Sequence, residues 1–230
     1  GLYLLPPFNP TQTEQDSSNT VEVLGRISSF IKSCNEQYVL LSDTNFICNI
    51  DLSKVFDFHS EKDADITVVY KKGNLPELEN MTSLTVDDNS KVTAIAVNPQ
   101  NKENVNFNTG MVLIRKALLE SLVADALSAG AKNFEKDILQ KNVSTLNIYG
   151  YKINEWNYTI DSMNTYFEAN MELLKKEKIL FGISVCYTSK NVNDVTSDEF
   201  LDKMIASGVK YAFYFNFMPV GKNADKELIP

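Results

Sequence analysis

The sequence predicts an α/β fold, and three stretches carry the prediction. Tyr38-Val-Leu-Leu41 and Asp65-Ile-Thr-Val-Val-Tyr70 are short apolar runs of the kind found in strands covered on both faces, and Asp51–His59 between them has helical character. Strand, helix, strand in that order is the unit from which doubly covered sheets are built. With 230 residues, 43% of them apolar and 10% aromatic, the chain can bury a substantial core.

Taken in order, Pro6–Ser18 is rich in Pro, Thr, Ser, Asn and Gln and reads as a loop. Val21, Leu24, Ile27 and Ile31 recur at helical spacing, with Asn19 or Thr20 as cap. Residues 71–90 read as a polar connection. Lys91–Val97 alternates as a half-buried strand, and Thr109–Ile114 is a further strand. Leu118–Leu127 and Phe134–Gln140 read as helices, the first ended by Gly130. Leu146–Tyr149 is a strand with a turn at Gly150, and Met163, Tyr166, Phe167, Met171 and Leu174 mark another helix. Beyond it, Ile179–Tyr187 and Tyr211–Phe217 read as strands flanking a helix capped by Thr196 and closed by Gly208, one β-α-β crossover.

Composition excludes several classes of function. A net charge of −8 argues against nucleic acid or an anionic membrane as partner, since both call for a basic surface. No two of the nine glycines form G-x-G, so no dinucleotide fingerprint or phosphate loop lies within the chain. Three separated cysteines (Cys34, Cys48, Cys186) and one histidine cannot assemble a zinc site, and they read as reduced core residues of a cytoplasmic protein. The charge is unevenly held. Residues 1–175 carry 15 basic and 23 acidic side chains and residues 176–230 carry seven of each, so two parts of different origin are expected.

Asp43 is the foremost candidate for chemistry. A strand that ends in Asp sets an anion at the edge of the sheet, where it can hold Mg²⁺ beside a phosphate, or simply close the strand as a cap or turn. His59 reads as structural, stabilised by its place at a helix C-terminus. The aromatic strand Tyr211–Phe217 reads as buried.

Four blocks add a resemblance. Gln37–Leu52 with its Leu41-Ser-Asp-Thr-Asn45, Ala64–Tyr70, Asn133-Phe-Glu-Lys-Asp-Ile-Leu-Gln140 and Tyr166-Phe-Glu-Ala-Asn-Met-Glu-Leu-Leu174 are similar, in consistent order, to bacterial glucose-1-phosphate adenylyltransferase, and most to its D-type subunit. The resemblance implies a Rossmann-like, GT-A-type nucleotidyltransferase sheet over residues 1–174. That sheet would lack its first strand, with the nucleotide loop and its arginine lying before Gly1. It implies a place in glycogen synthesis, where the active subunit joins ATP to glucose 1-phosphate with Mg²⁺. Asp43 falls on the first metal-binding aspartate, while the second falls on Thr159. The sugar-phosphate lysine falls on Asn98, and the serine before the Met-Gly strand falls on Asn108, with Gly110 retained. Mg²⁺ binding is therefore expected to be weak or lost. The chain is expected to be a weakly catalytic or silent regulatory subunit that assembles with a catalytic adenylyltransferase subunit and takes a sugar phosphate or nucleotide.

Residues 175–230 depart from this pattern. Phe181–Asn191, Asp194–Phe200 and Tyr214–Gly221 resemble the middle of a radical S-adenosylmethionine protein, which implies a piece of a TIM-type barrel joined within Met171–Lys178. The three-cysteine motif of that family is not in the sequence, so no iron–sulfur cluster is expected.

Overall fold

The structure, a computed structural model, describes residues 3, 20–76, 78, 80–219 and 226–229. The loop expected over Pro6–Ser18 lies outside the described residues. The chain divides into two compact units, Gly1–Asp161 and Ser162–Pro230.

The first unit is organised around its longest strand. The strands and helices before it are α1 (Thr20–Arg26), α2 (Ser28–Ser33), β1 (Tyr38–Leu41), β2 (Phe46–Cys48), α3 (Leu52–Glu61), β3 (Ile66–Gly73), β4 (Thr82–Val86) and β5 (Val92–Val97). The long strand is β6 (Val105–Arg115), and α4 (Lys116–Ser128), a π-helical turn (Glu135–Gln140), β7 (Ile148–Lys152) and β8 (Asn157–Thr159) follow. The main sheet runs β5-β4-β6-β3-β7, with β1 also paired to β6. β3 covers one edge of β6 from Val105 to Ile114, so β4 and β1 share the other edge. β4 takes Asn106 and Phe107 there, and β1 takes Val112–Arg115. Residues 108–111 are left between the two.

Both faces of this sheet are buried, and the alternation along β6 sorts its side chains. Val112 and Ile114 join Ile66, Val68, Leu119, Val123 and Ile138 under α1, α4 and the π-helical turn. Met111 and Leu113 join Phe46, Val55 and Val69 on the opposite face, under α3 and β2. Asp51 starts α3 as its N-cap, its carboxylate accepting from Ser53 N at 3.0 Å.

Several expectations need correction. Tyr38–Leu41 is not a fully buried parallel strand: it lies antiparallel to β6, is half-buried throughout, and has no strand on its other edge among the described residues. The connection over 71–90 contains β4, whose Thr82 and Leu84 are buried; three of its five residues are Ser or Thr, which hid the apolar alternation. No turn occurs at Gly150, because β7 passes through it in parallel register with Val68. A Cβ there would lie 2.9 Å from Tyr70 Cε1, so glycine serves close packing of two strands.

His59 is structural for a different reason from its helix position. It is 1% exposed, its Nδ1 lies 2.8 Å from Thr67 Oγ1, and its ring meets Tyr38 edge-on. Burial, seconded by the Arg115 charge, lowers its pKa, so the ring is a neutral core residue rather than a cation serving the helix end.

The second unit contains α5 (Met163–Lys176), β9 (Ile183–Tyr187), α6 (Val192–Val195), α7 (Asp198–Ala206) and β10 (Ala212–Asn216). α5 thus belongs with the C-terminal unit, although residues 166–174 carry part of the adenylyltransferase resemblance. Lys175 Nζ donates to Ala206 O at 3.2 Å, tying α5 to α7. β9 and β10 are parallel with α6 and α7 between them, the crossover read from the sequence. The cap of α7 is Ser197, whose Oγ accepts from Phe200 N at 3.2 Å, and not Thr196, whose hydroxyl donates to Val192 O at 2.6 Å. Two burial expectations fail here: every residue of β10 is exposed, as is Cys186. Two strands leave aromatic side chains without a covering layer among the described residues.

Candidate functional site

The local irregularity of β6 makes the site. Val69 and Tyr70 are consecutive on β3, but their partners on β6 are Met111 and Asn108, so Thr109 and Gly110 bulge from the ladder. Thr109 Oγ1 donates to Val69 O at 2.9 Å and holds the bulge to the sheet. Gly110 adopts φ +79, and its N–H donates to Asn108 Oδ1 at 3.0 Å. That conformation suits glycine, and space also requires it: a Cβ at 110 would lie 2.8 Å from Asp43 Cβ.

The gap between β4 and β1 along β6 therefore opens as a cleft of about 180 Å³, lined by Asp43, Asn45, Thr82, Asn108, Gly110 and Glu135. Asp43 as a residue is exposed, yet its carboxylate packs against Gly110, and the water lost there raises its pKa. Asn108 is 5% exposed and forms part of the floor.

Glu135, which the sequence reading did not single out, also lines this cleft. It begins the π-helical turn, and its pKa is raised first by burial and further by the Asp43 charge, against a lowering by its own backbone N–H. Two carboxylates thus face one hollow. Nothing in the spacing of residues 133–140 marked Glu135, because only the turn of the chain around β6 brings it toward Asp43.

Asn98 is set apart from this group. It follows β5, has φ +50, and donates its N–H to Met81 O at 2.8 Å. It lines a second hollow, of about 550 Å³, with Gly130, Lys132, Lys136, Asp137 and Lys141. The two hollows have Asn80 and Asn133 in common. Of the four candidate residues, the structure gathers Asp43, Asn108 and Gly110 and leaves Asn98 next door.

Thr159 ends β8 opposite Phe46, and the following Ile160 N–H donates to Asn45 O at 2.7 Å, two residues from Asp43. A hydroxyl stands here, not a carboxylate. Among the described residues no group of three or more His, Cys, Asp or Glu side chains is assembled for a metal ion, and no helix is long and apolar enough to cross a membrane.

No family model matches the chain. Curated relatives do. A glucose-1-phosphate adenylyltransferase of Mycoplasma mobile is 23% identical over 239 residues, covering 97% of this chain and 63% of the relative. Those of Clostridium kluyveri and Clostridium novyi are 22% and 25% identical, covering 87% and 76% of this chain and 53% and 46% of theirs. The chain is similar to glucose-1-phosphate adenylyltransferases. It spans 63% or less of the length of these relatives. Among solved structures, HddC from Yersinia pseudotuberculosis matches with a TM-score of 0.52 at 18% identity, over 68% of this chain and 63% of that one. The fold is thus the Rossmann-like α/β sheet of nucleotidyltransferases.

Proposed function

We propose that the chain is a D-type, regulatory subunit of the glucose-1-phosphate adenylyltransferase family, acting in glycogen synthesis through a catalytic partner. The observation that carries this reading is the donor set of the cleft. In the family's reaction a sugar phosphate attacks the α-phosphorus of ATP in line, and catalysis consists of positioning and of neutralising phosphate charge. Here the cleft has Asp43 and Glu135 but no cationic side chain on its lining. The positions that the resemblance gives to the second metal aspartate and to the phosphate lysine are Thr159 and Asn98. A hydroxyl and an amide cannot replace a carboxylate and an ammonium in those roles. This donor set does not fit a resident Mg²⁺ pair of the family's kind.

A coupled pyrophosphate-release assay with ATP, glucose 1-phosphate and Mg²⁺ tests the reading. We expect no turnover by this chain alone and altered turnover by the catalytic subunit on mixing. Turnover by the isolated chain that is lost on Asp43→Asn would overturn it.

Residues 178–230 we read as a piece of separate origin, of radical S-adenosylmethionine type. Support comes from the even charge of residues 176–230 and the parallel crossover of β9 and β10. Cys186 alone cannot ligate a cluster. Iron and labile-sulfide analysis after anaerobic reconstitution should find none; a stoichiometric cluster would overturn the regulatory reading in favour of an S-adenosylmethionine-dependent enzyme.

A further inference from the structure

We infer that the open face of the β9–β10 sheet docks a second copy of this chain, the aromatic strand of each protomer lying over the small-residue strand of the other. The inference is independent of the proposed function, because it uses only residues of the second unit.

Register separates the two faces of this sheet. On β9, half-buried Ile183, Val185 and Tyr187 alternate with exposed Ser184 and Cys186. Parallel pairing sets Ala212, Tyr214 and Asn216 beside the first group, and Phe213 and Phe215 beside the second. The first group faces the helices, since Tyr214 Oη donates to Val195 O of α6 at 2.9 Å. The other face is open. Its rings form a row, the centroid of Tyr211 5.5 Å from that of Phe213 and Phe213 6.5 Å from Phe215, and they are exposed by 48%, 58% and 55%. Alongside this row β9 offers only Gly182, Ser184 and Cys186. The Tyr211 ring already lies over Gly182, where a Cβ would stand 2.3 Å from it, so the unfilled space is above Ser184 and Cys186.

Shape and charge select a second copy as the occupant. A row of rings beside a row of small side chains is its own complement under a two-fold axis along the strands, which preserves height along each strand and sets β10 over β9. Phe213 then meets Ser184 of the partner subunit and Phe215 meets Cys186 of the partner subunit, as aromatic anchors in the space that small side chains leave. Residues 176–230 carry seven basic and seven acidic side chains, so no excess of like charge opposes the approach through this face. Area sets the strength. Three rings about half exposed, from ~150–250 Å² apiece, contribute roughly 300 Å² per protomer. Both protomers together reach about 600 Å² from the rings, below the ~1,200 Å² at which standard interfaces begin, so the dimer is a weak one governed by concentration.

Sedimentation velocity of the full chain over a concentration series tests this. The expected result is a reversible monomer–dimer equilibrium, with alkylation of Cys186, read by peptide mass spectrometry, slowing as the dimer forms. Phe213→Ser/Phe215→Ser should raise the dimer dissociation constant at least tenfold while keeping the circular dichroism spectrum, because both rings are exposed. Cys186→Trp separates fit from stickiness. Bulk on the small-residue strand should also raise the constant at least tenfold, whereas an unspecific apolar patch would associate more strongly with a ring added. A chain that stays monomeric at every concentration, assemblies that grow past the dimer, Cys186 alkylation at one rate throughout, or either variant dimerising as well as the wild type overturns the inference.

Discussion

Asp43 and Gly110 are fitted to one another: the carboxylate of the first fills the space that a side chain on the second would need, and a Cβ at 110 would lie 2.8 Å from Asp43 Cβ. The bulge of β6 and the end of β1 are thereby locked together at the mouth of the cleft. Gly110→Ala meets both this clash and a positive φ, and it should destabilise the protein by about 1–3 kcal/mol or more. Urea denaturation measures this. In a double-mutant cycle, Asp43→Gly should recover part of the loss, since it removes every side-chain atom that a Cβ at 110 would meet but not the backbone strain. A fully additive pair would mean the two residues do not compete for space.

His59 is buried neutral, and its lowered pKa sets the sign of a pH effect. At pH above the unfolded histidine value of ~6.5, neither state binds the proton and the ring contributes no pH dependence. As pH falls below that value the unfolded chain takes up a proton that the folded chain refuses, so stability falls. His59→Gln should flatten this segment of the stability profile between pH 7 and 5. Thr67→Val leaves Nδ1 without its partner and should cost about 1–3 kcal/mol at pH 7 by chemical denaturation.

Asp137 shows the opposite sign, its carboxylate accepting from Asn133 N–H and pairing with Lys141 Nζ. With its folded pKa at about 2, its contribution is complete above the unfolded value of ~3.9 and is lost as pH falls toward 2. Asp137→Asn should lower stability at neutral pH and remove part of the acid-induced loss. Carboxyl titration by NMR should find the Asp137 midpoint well below that of an exposed aspartate.

Ser197 and Thr196 are separable by mutation. Ser197→Ala removes the acceptor for Phe200 N and should cost the second unit about 1 kcal/mol. Thr196→Ala loses a hydroxyl that donates to Val192 O and should cost less. Thermal melts of the two variants give the order, and the reverse order would restore Thr196 as the cap.

How much was legible beforehand differs element by element. β3 and β6 were visible because Ile66–Val69 and Met111–Ile114 are apolar on both faces, and α4 because Gly130 closes it with φ +68. β4 was not, since Ser and Thr occupy most of it and its burial comes from neighbours distant in sequence. Asp43 was visible from the strand it follows. Glu135 was not, since its partner Asp43 lies 92 residues earlier and no local pattern records that approach.

The α/β class, the strands β3 and β6 and the acid that follows β1 could be read from the chain alone, because each rests on local hydrophobicity or on one residue's chemistry, whereas Gly110 stood out only through the family resemblance. That β1 runs antiparallel to β6, that His59 is a buried core residue, and that an acidic hollow adjoins a lysine-lined one emerge from the folded chain. Those properties depend on strand order and desolvation, which arise when segments far apart in the chain exclude water from one another.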